Sequence, residues 1–438
     1  MNFKPNFFNP FLIFVFLIFV DYLYPQEIDL VTYIDLVKNN NIDLKQEDKK
    51  AKIAREESKI AKSLVLPNAS AESFYQRDFN KNFLFINDEF DGSTTAFRTN
   101  FNNTIDASVT VTQTIFDPTV FSAVKVAKLT EELHKLENEN MSNKLVIEAS
   151  KLYWKAVFIK ESIKVLNENA KLAKEQVDQI KKIANKGVVS KLQLYQAEGL
   201  YKKTILVLNN TKNQHYNILN ELKVLANISI TENLFLTESL ENFEINGISS
   251  MKDIVIGNQP EIKTLKKEIE ISEKQINANK KFWYPKLNIV TGYNYNVQDN
   301  GLKFGNHENK LFFGQLRITF PIFSGGRNNA EIVKTKIEKE AVELHLKNKQ
   351  QEFLKQLQNA QNSYNTTINN IAIRRETLRL NEKEIVVFKK QLRLGVVTPI
   401  EFKEVLFRLT QSKLDLLSDY LDLHIAQLQI KRILGTAI

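Results

Sequence analysis

The chain of 438 residues lacks cysteine altogether and has few residues that interrupt helices or strands. Without a thiol there is no disulfide, no thiolate metal ligand and no cysteine nucleophile. Only 13 glycines and 9 prolines occur, which favours long uninterrupted elements. There is no glycine-rich phosphate loop and no G-x-S-x-G elbow, and the 5 histidines are scattered without ligand spacing. The sequence therefore predicts no enzyme, no cofactor and no metal site.

Long hydrophobic segments are also scarce. One apolar run, Phe11 to Val20, follows Lys4 near the N-terminus. It is shorter than the roughly 20 residues that a membrane-spanning helix needs, but it suits the hydrophobic region of a secretory signal peptide. We assign residues 1–25 to a signal peptide, and we expect an exported protein without a helical anchor.

The positive net charge of +9 does not indicate a nucleic-acid partner. Lysine and arginine alternate with glutamate and aspartate along helical segments, and no basic block carries interleaved aromatic residues. Such a pattern is typical of a solvated helix surface. We therefore expect no nucleic acid among the partners.

The sequence is organised as two copies of one pattern. Four landmarks recur in the same order, the first at an offset of 218 residues and the other three at 207 or 208: Leu66-Pro67-Asn68-Ala69 as Tyr284-Pro285-Lys286-Leu287, Ile115-Phe116-Asp117 as Ile322-Phe323-Ser324, Gly187-Val188-Val189-Ser190 as Gly395-Val396-Val397-Thr398, and Leu222-Lys223 as Ile430-Lys431. An ordered set of this kind indicates an internal duplication. It predicts a first repeat at 26–227, a linker at 228–250 and a second repeat at 251–438.

Each repeat is predicted to run as helix, strand, loop, strand, long helix, tight turn and return helix. The first helix is expected over roughly 27–66, ending at Pro67. Strands are indicated where apolar and polar residues alternate, most clearly around Ile105 to Ile115. The long helices are expected at 119–186 and 327–394, and the return helices at about 190–226 and 398–434. Apolar residues at 4-3 spacing in the first long helix predict a coiled-coil seam: Ile159, Ile163, Leu166, Ala170, Ala173, Val177, Ile180 and Ala184.

The four alternating strands cannot close a membrane barrel by themselves. The smallest outer-membrane barrels have about eight strands, and an open sheet leaves unpaired backbone groups in lipid. Three copies of the chain would supply about twelve strands. Polar residues would then line a wet lumen, and apolar residues would face lipid. The change of offset puts about ten extra residues into the loop of the first repeat from about Arg77 to Asn103, and we expect this extra segment to face outside the cell.

This layout resembles the TolC family of outer-membrane efflux proteins. The resemblance rests on the duplication, the prolines at the helix–strand junctions (Pro67, Pro285), the Ile-Phe pairs ending in Phe116 and Phe323, and the G-x-x-[ST] turns. It implies an α+β membrane protein: a trimeric 12-stranded β-barrel in the outer membrane, continued by an α-helical coiled-coil barrel across the periplasm. It also implies a homotrimer in outer-membrane lipid that works with a periplasmic adaptor protein and an inner-membrane pump of the RND, ABC or MFS type, in efflux or type I secretion.

The resemblance further suggests two functional regions. Glu401 and Glu404 occupy the steps after the tip glycine where the family carries paired acidic residues at its periplasmic gate. The two turns are expected to dock the adaptor through exposed valines: Gly187, Val188, Val189 and Ser190 in the first copy, and Gly395, Val396, Val397 and Thr398 in the second. The family often has a basic residue where this chain has Val397, so a lock of that kind is not expected here.

Two other kinds of protein fit part of the pattern. A secreted coiled-coil structural or adhesive protein explains the heptads and the signal peptide, but not strands inserted at the same point of both repeats. A periplasmic adaptor also has a helical hairpin, but it is expected to carry lipoyl-like and barrel domains.

Overall fold

The computed structural model describes residues 26–87, 90, 92–185, 190–242, 259–305, 307–394 and 396–434. The predicted signal peptide at 1–25 lies outside these residues, as does the end of the predicted linker. Within them, two helices of 67 residues each dominate the chain, as the duplication predicts. At about 1.5 Å per residue, each is about 100 Å long.

The elements follow one another in the predicted order, with some additions. The helices are α1 (Leu30–Asn40), α2 (Ile42–Ser63), α3 (Pro118–Ala184), α4 (Lys191–Leu225), α5 (Pro260–Lys280), α6 (Arg327–Arg393) and α7 (Pro399–Leu434). The strands are β1 (Gln26–Ile28), β2 (Asn68–Arg77), β3 (Phe83–Asn87), β4 (Thr94–Arg98), β5 (Asn103–Phe116), β6 (Leu234–Leu236), β7 (Lys286–Asp299) and β8 (Glu308–Thr319). A short 3-10 turn, Lys281–Trp283, precedes β7.

The four predicted strands form one antiparallel sheet in the order β2-β5-β7-β8. Directly paired residues share a face, so the register tests the predicted alternation. Val109 pairs with Ala71 and Tyr293, and Tyr293 pairs with Phe312, which joins the predicted apolar residues of all four strands on one face. Each strand is at least 10 residues long, enough to cross a bilayer at a tilt.

The described residues divide into two compact units. The first comprises residues up to 39, 152–243 and 377–418, and the second comprises 40–151, 244–376 and 419–438. In the first unit half of the predicted seam is buried: Leu166, Ala170, Ala173 and Ile180 are each 7% exposed or less, and the other seam residues are partly buried. Ala173 packs with Leu392 of α6 and with Phe402 and Leu406 of α7, and Leu166 and Ala170 pack with Leu208 of α4. The seam of α3 therefore contacts α4, α6 and α7.

The second unit contains the sheet and its own helical core. Ile262 of α5 packs against Phe353 and Leu357 of α6 and Ile433 of α7. The Gln259 side chain donates hydrogen bonds to the backbone carbonyls of Arg432 and Ile433. Both carbonyls belong to the last turn of α7, where backbone carbonyls have no partner within the helix. Among the described residues, no helix is both long and apolar enough to cross a bilayer.

The prediction of a single helix over 27–66 is wrong. The described residues begin with β1, and a break at Asn41 separates α1 from α2. The Asn41 side chain accepts a hydrogen bond from the Leu44 amide at 3.0 Å, which starts a new helix. The break depends on this single asparagine cap. The spacing of hydrophobic residues, from which the helix was predicted, is not sensitive to one capping residue.

The linker and the extra segment of the first repeat contain strands that were not predicted. Residues 234–236 of the linker form β6, which pairs in parallel with β1. Lys160 of α3 holds this small sheet, because its ammonium donates to the carbonyls of Leu236 and Glu238 at 2.9 and 2.8 Å. Burial lowers the pKa of Lys160. The extra segment contains a hairpin of β3 and β4, with Phe83 paired to Arg98 at its base.

Candidate functional site

The first two turns of α7 carry the two predicted gate residues, Glu401 and Glu404. Both side chains are exposed. Glu401 closes a capping box: its carboxylate accepts from the Thr398 amide at 2.7 Å and the Thr398 hydroxyl at 2.9 Å. In return the Glu401 amide donates to the Thr398 hydroxyl at 3.3 Å. The hydrogen bond from the Thr398 amide, followed by that from its hydroxyl, lowers the pKa of Glu401. The carboxylate therefore stays ionised at neutral pH.

Glu404 lies one turn further along α7, on the same helix face as Glu401 because three residues separate them. The structure thus presents two carboxylates to solvent on one side of the tip, as predicted. The buried neighbours Phe402 and Leu406 face the opposite way, into the core with Ala173. Packing of these apolar residues fixes the direction in which the two carboxylates point.

The first copy builds the same cap without charge. The Ser190 hydroxyl accepts from the Gln193 amide at 3.3 Å, and the Gln193 side chain accepts from the Ser190 amide at 3.1 Å. Gln193 thus occupies the position of Glu401, and Gln196 occupies that of Glu404. The two repeats therefore share the hydrogen bonds of this helix cap as well as their sequence pattern.

The predicted docking valines differ from one another in exposure. Val396 is 69% exposed, and its amide donates to the Gln391 carbonyl at 3.0 Å, a five-residue span typical of a helix C-terminus. Val397 does not lie exposed as predicted, because it is partly buried against the core of Phe402 and Leu406. Gly187, Val188, Val189 and Gly395 lie outside the described residues.

Polar contacts that the sequence did not reveal join α3 to α6 and α7 near the tip. Lys389 contacts Glu175 at 2.8 Å, and Lys413 contacts Glu168 at 2.7 Å. The buried Gln176 side chain donates to the carbonyl of Pro399, the first residue of α7, at 3.2 Å. No basic residue at position 397 is needed for these ties. Only knowledge of which helices are adjacent could have identified them.

The helix–strand junctions have the residues that the duplication predicts. The residues that lead from the strand into the long helix differ in chemistry between the two copies. Pro67 and Pro285 each stand immediately before the first residue of a strand. Phe116 ends β5 and is 43% exposed, while Phe323 is 85% exposed. Asp117 then caps α3, accepting from the Thr119 amide at 2.9 Å.

The second copy turns the same corner with Gly325 and Gly326, at φ of +60° and +81°. Glycine is required there because this region disfavours side chains. The two copies therefore make the same change of direction by different means, a side-chain cap in one and backbone freedom in the other.

The polar face of the sheet has organised hydrogen bonds and one close contact. Asp106 accepts from the side chains of Asn294 and Asn296 at 2.9 and 3.0 Å. Phe313 lies over Gly292, where an added Cβ would come within 2.8 Å of the ring. A carboxylate held by amides suits a water-filled interior better than lipid.

Away from these regions, Glu47, His134 and Glu137 bring three possible ligand atoms within 4.8 Å of one another. These side chains already have contact partners inside the protein. The Lys50 ammonium lies 2.9 Å from Glu47, and His134 Nδ1 lies 2.8 Å from Glu137. We therefore assign this cluster to helix packing and not to a metal.

Comparisons with known proteins agree with this arrangement. The sequence model of the family "Outer membrane efflux protein" matches residues 253–436, which is most of the second repeat. No curated protein sequence shows significant similarity to the chain.

Solved structures share the fold along nearly the whole chain. The CmeC outer membrane channel of Campylobacter jejuni has 17% identity and a TM-score of 0.77, over 93% of this chain and 85% of that one. The MtrE outer membrane channel of Neisseria gonorrhoeae has 15% identity and a TM-score of 0.74, over 93% and 89%. The outer membrane protein VceC of Vibrio cholerae has 12% identity and a TM-score of 0.74, over 93% and 96%. The family resemblance read from the sequence is confirmed.

Proposed function

We propose that the chain is an outer membrane efflux protein and that three copies of it form one continuous export duct. The duct has a 12-stranded β-barrel in the outer membrane and a helical barrel in the periplasm. It is a conduit and performs no catalysis. Its partners are a periplasmic adaptor and an inner-membrane pump.

The open sheet is the observation that carries this proposal. Among the described residues, β2 and β8 each pair on one side only, and nearly all their residues are exposed. In lipid their free N–H and C=O groups would lack partners. Pairing β8 of one copy with β2 of the next satisfies both edges, and three copies close the ring. The apolar face with Val109, Tyr293 and Phe312 then contacts lipid.

The helices of the first unit also leave an apolar surface uncovered. A groove of about 230 Å³ between α3, α4 and α7 is lined by Leu200, Val207 and Phe407, among others. Phe407 is 65% exposed and Leu206 is 64% exposed. Exposed apolar side chains of this size mark contact sites. We assign these exposed side chains to the interface between neighbouring copies. On this assignment, α4 and α7 form part of the wall of the periplasmic barrel.

The gate proposal follows from trimer formation. Three copies of Glu401 and Glu404 make two stacked rings of carboxylates at the narrow end of the tunnel. Since hydrogen bonds from Thr398 keep Glu401 ionised, its ring carries a fixed negative charge. Such rings favour cations and bind multivalent ones. Docking is assigned to the tips, with Val396 as the exposed contact in the second copy.

Cell fractionation combined with native mass spectrometry tests the assembly. The protein should be recovered in the outer membrane, and after extraction in mild detergent it should give a mass of three copies. A monomer that remains stable in membranes contradicts the proposal. Recovery in the culture medium would instead favour a secreted coiled-coil protein.

A further inference from the structure

A basic cavity lies in the second unit, where the chain passes from α5 to β7. It has a volume of about 350 Å³, within the ~300–1,000 Å³ usual for small-molecule sites. Four lysines contribute to its wall: Lys125, Lys274, Lys280 and Lys281. No spacing in the sequence indicates this cluster, because Lys125 is on α3 and the other three lysines are on α5 and the turn after it.

None of the four ammonium groups has a carboxylate within 4 Å among the described residues. Other lysines of the same unit do have such carboxylate partners. Lys267 contacts Glu132 and Glu270, Lys286 contacts Asp117, and Lys339 contacts Glu273. Those acids are therefore already engaged, and among the residues that the structure describes no carboxylate lies within 4 Å of the four cavity lysines.

The rest of the wall offers neutral groups that bind oxygen anions. Ser122, Asn277 and Tyr284 line the cavity with a hydroxyl, an amide and a phenol. The amide and the phenol can donate hydrogen bonds together with the ammonium groups. Strong positive charge combined with neutral donors is the chemistry that holds a phosphate.

The position of the cavity points to a lipid. Tyr284, which lines it, is separated from the first residue of β7 by Pro285 alone. The neighbouring Trp283 packs edge-to-face on Phe282 at 5.2 Å and is 39% exposed, and Tyr284 is 53% exposed. Trp and Tyr concentrate at the boundary between membrane and water, and lysine clusters beside that boundary attract anionic headgroups.

We propose that this cavity binds the phosphate of an anionic phospholipid in the periplasmic leaflet of the outer membrane. The proposal rests on the membrane position assigned to the sheet. The lysines hold the headgroup, and the adjacent aromatic residues lie against its acyl chains. Each protomer would thus be fixed at the depth where its strands leave the bilayer.

Titration of the purified, delipidated trimer with phosphatidylglycerol, followed by native mass spectrometry, tests the proposal. The test variant replaces the four lysines together by glutamine: Lys125→Gln, Lys274→Gln, Lys280→Gln and Lys281→Gln. A matched control removes the same charge from four exposed lysines elsewhere in this unit that also lack an ion pair: Lys128→Gln, Lys263→Gln, Lys266→Gln and Lys336→Gln.

Each lysine beside an anionic headgroup contributes about fivefold in affinity. We expect the test variant to lose at least about tenfold in affinity for phosphatidylglycerol and the control to lose about twofold or less. Phosphatidylethanolamine, which has no net charge, should bind more weakly to the unmodified protein. A variant with arginine at all four positions should recover binding. Equal losses in test variant and control would overturn the proposal.

Two further measurements distinguish a lipid site from a free-phosphate site, and a failure of the lipid proposal from a failure of the proposed function. If inorganic phosphate displaces phosphatidylglycerol at similar concentration, the site is one for free phosphate and the lipid assignment is wrong. Conductance in planar bilayers reports the proposed function independently. A test variant that conducts normally but binds lipid like the unmodified protein contradicts the lipid site alone. Should the test variant not assemble, Lys274→Gln and Lys280→Gln singly should each lose about fivefold, and unchanged binding in both refutes the proposal.

Discussion

The two tips of the chain are built with the same hydrogen bonds but carry different charges. Ser190 and Gln193 form the cap in the first copy, and Thr398 and Glu401 form it in the second. Both glutamine and glutamate serve as the third residue of a capping box. The helix start therefore does not require the carboxylate. The charge of Glu401 and Glu404 is an addition of the second copy, and the proposed gate explains it.

The junctions between strand and long helix make the same point about the fold. Asp117 caps α3 through its side chain, whereas Gly325 and Gly326 provide the turn before α6 by their backbone conformation. Duplicated segments thus keep a geometry and vary the residues that produce it. Where the variation changes charge, as at the tips, we propose that it marks a difference in function.

The largest effect is expected from a change at one tip only. Val396→Asp places a charge on an exposed apolar contact without entering the core. We expect export to be lost while trimers remain in the outer membrane. Lys390→Asp, at an exposed polar position on the neighbouring helix end, is the control and should export normally. Normal export by Val396→Asp would remove the second tip from the docking surface, and substitution of Val188 would then test the first.

Removal of the charge difference between the tips tests the gate. Glu401→Gln with Glu404→Gln gives the second copy the neutral residues of the first, and the cap survives because Gln193 already forms it. Single channels should lose cation selectivity, and block by di- or trivalent cations from the periplasmic side should weaken by on the order of tenfold. An exposed charge pair at close range contributes about 1 kcal/mol in water.

A matched pair on α6, Glu340→Gln with Glu382→Gln, removes the same charge from exposed positions elsewhere and should leave block unchanged. The converse change, Gln193→Glu with Gln196→Glu, sharpens the comparison. It should strengthen block if the first-copy tips line the same constriction. Persistent block after loss of Glu401 and Glu404 would place the responsible carboxylates elsewhere in the tunnel.

Removal of the capping hydroxyl should affect both tips alike. Thr398→Ala and Ser190→Ala each take away one side of a capping box, at a cost of about 1 kcal/mol in local helix stability. Hydrogen exchange of the amides at 401 and 193 should accelerate about fivefold in the respective variants. A clear effect at one tip only would show that the two caps are not equivalent.

The smallest effect is expected from the tie between α3 and α6. The hydrogen bond from Lys389 lowers the pKa of Glu175. A depressed carboxyl pKa gives stability that is present above the ordinary glutamate value and is lost as the pH falls through the lowered value. Lys389→Gln should cost at most about 1 kcal/mol at neutral pH, because exposed ion pairs contribute little. This loss of stability should disappear in acid, where Glu175 is protonated. A loss that persists there would show that the charges of Lys389 and Glu175 are not responsible for it.

Most of the fold could be predicted because its signals are long and repeated. The seam through Leu166 and Ala173 gave α3, and the alternation at Val109 and its partners gave the faces of the sheet. The break at Asn41 and the pairing of β1 with β6 could not be predicted. The first depends on a single side chain, and the second joins segments of three residues that are far apart in sequence.

The candidate sites were only partly accessible to sequence reasoning. Glu401 and Glu404 could be proposed from the family resemblance, because they lie at the expected steps after the tip glycine. Exposure of Val397 was misjudged, because its burial depends on Phe402 and Leu406. The four lysines of the basic cavity come from two helices, and no spacing in the sequence brings them together.

Cysteine cross-linking between the two open edges tests trimer closure most directly. Within one chain, β5 and β7 separate β2 from β8 by three strand spacings, about 14 Å. A disulfide requires Cα atoms within about 7 Å, so a bond between these edges must join two copies. The chain has no cysteine of its own. Ser70→Cys can be combined in turn with cysteine at Gln315, Arg317 and Thr319. One of these combinations should give covalent dimers and trimers and no larger species. Failure of every combination, or a ladder that continues past three copies, would contradict the closed trimeric barrel.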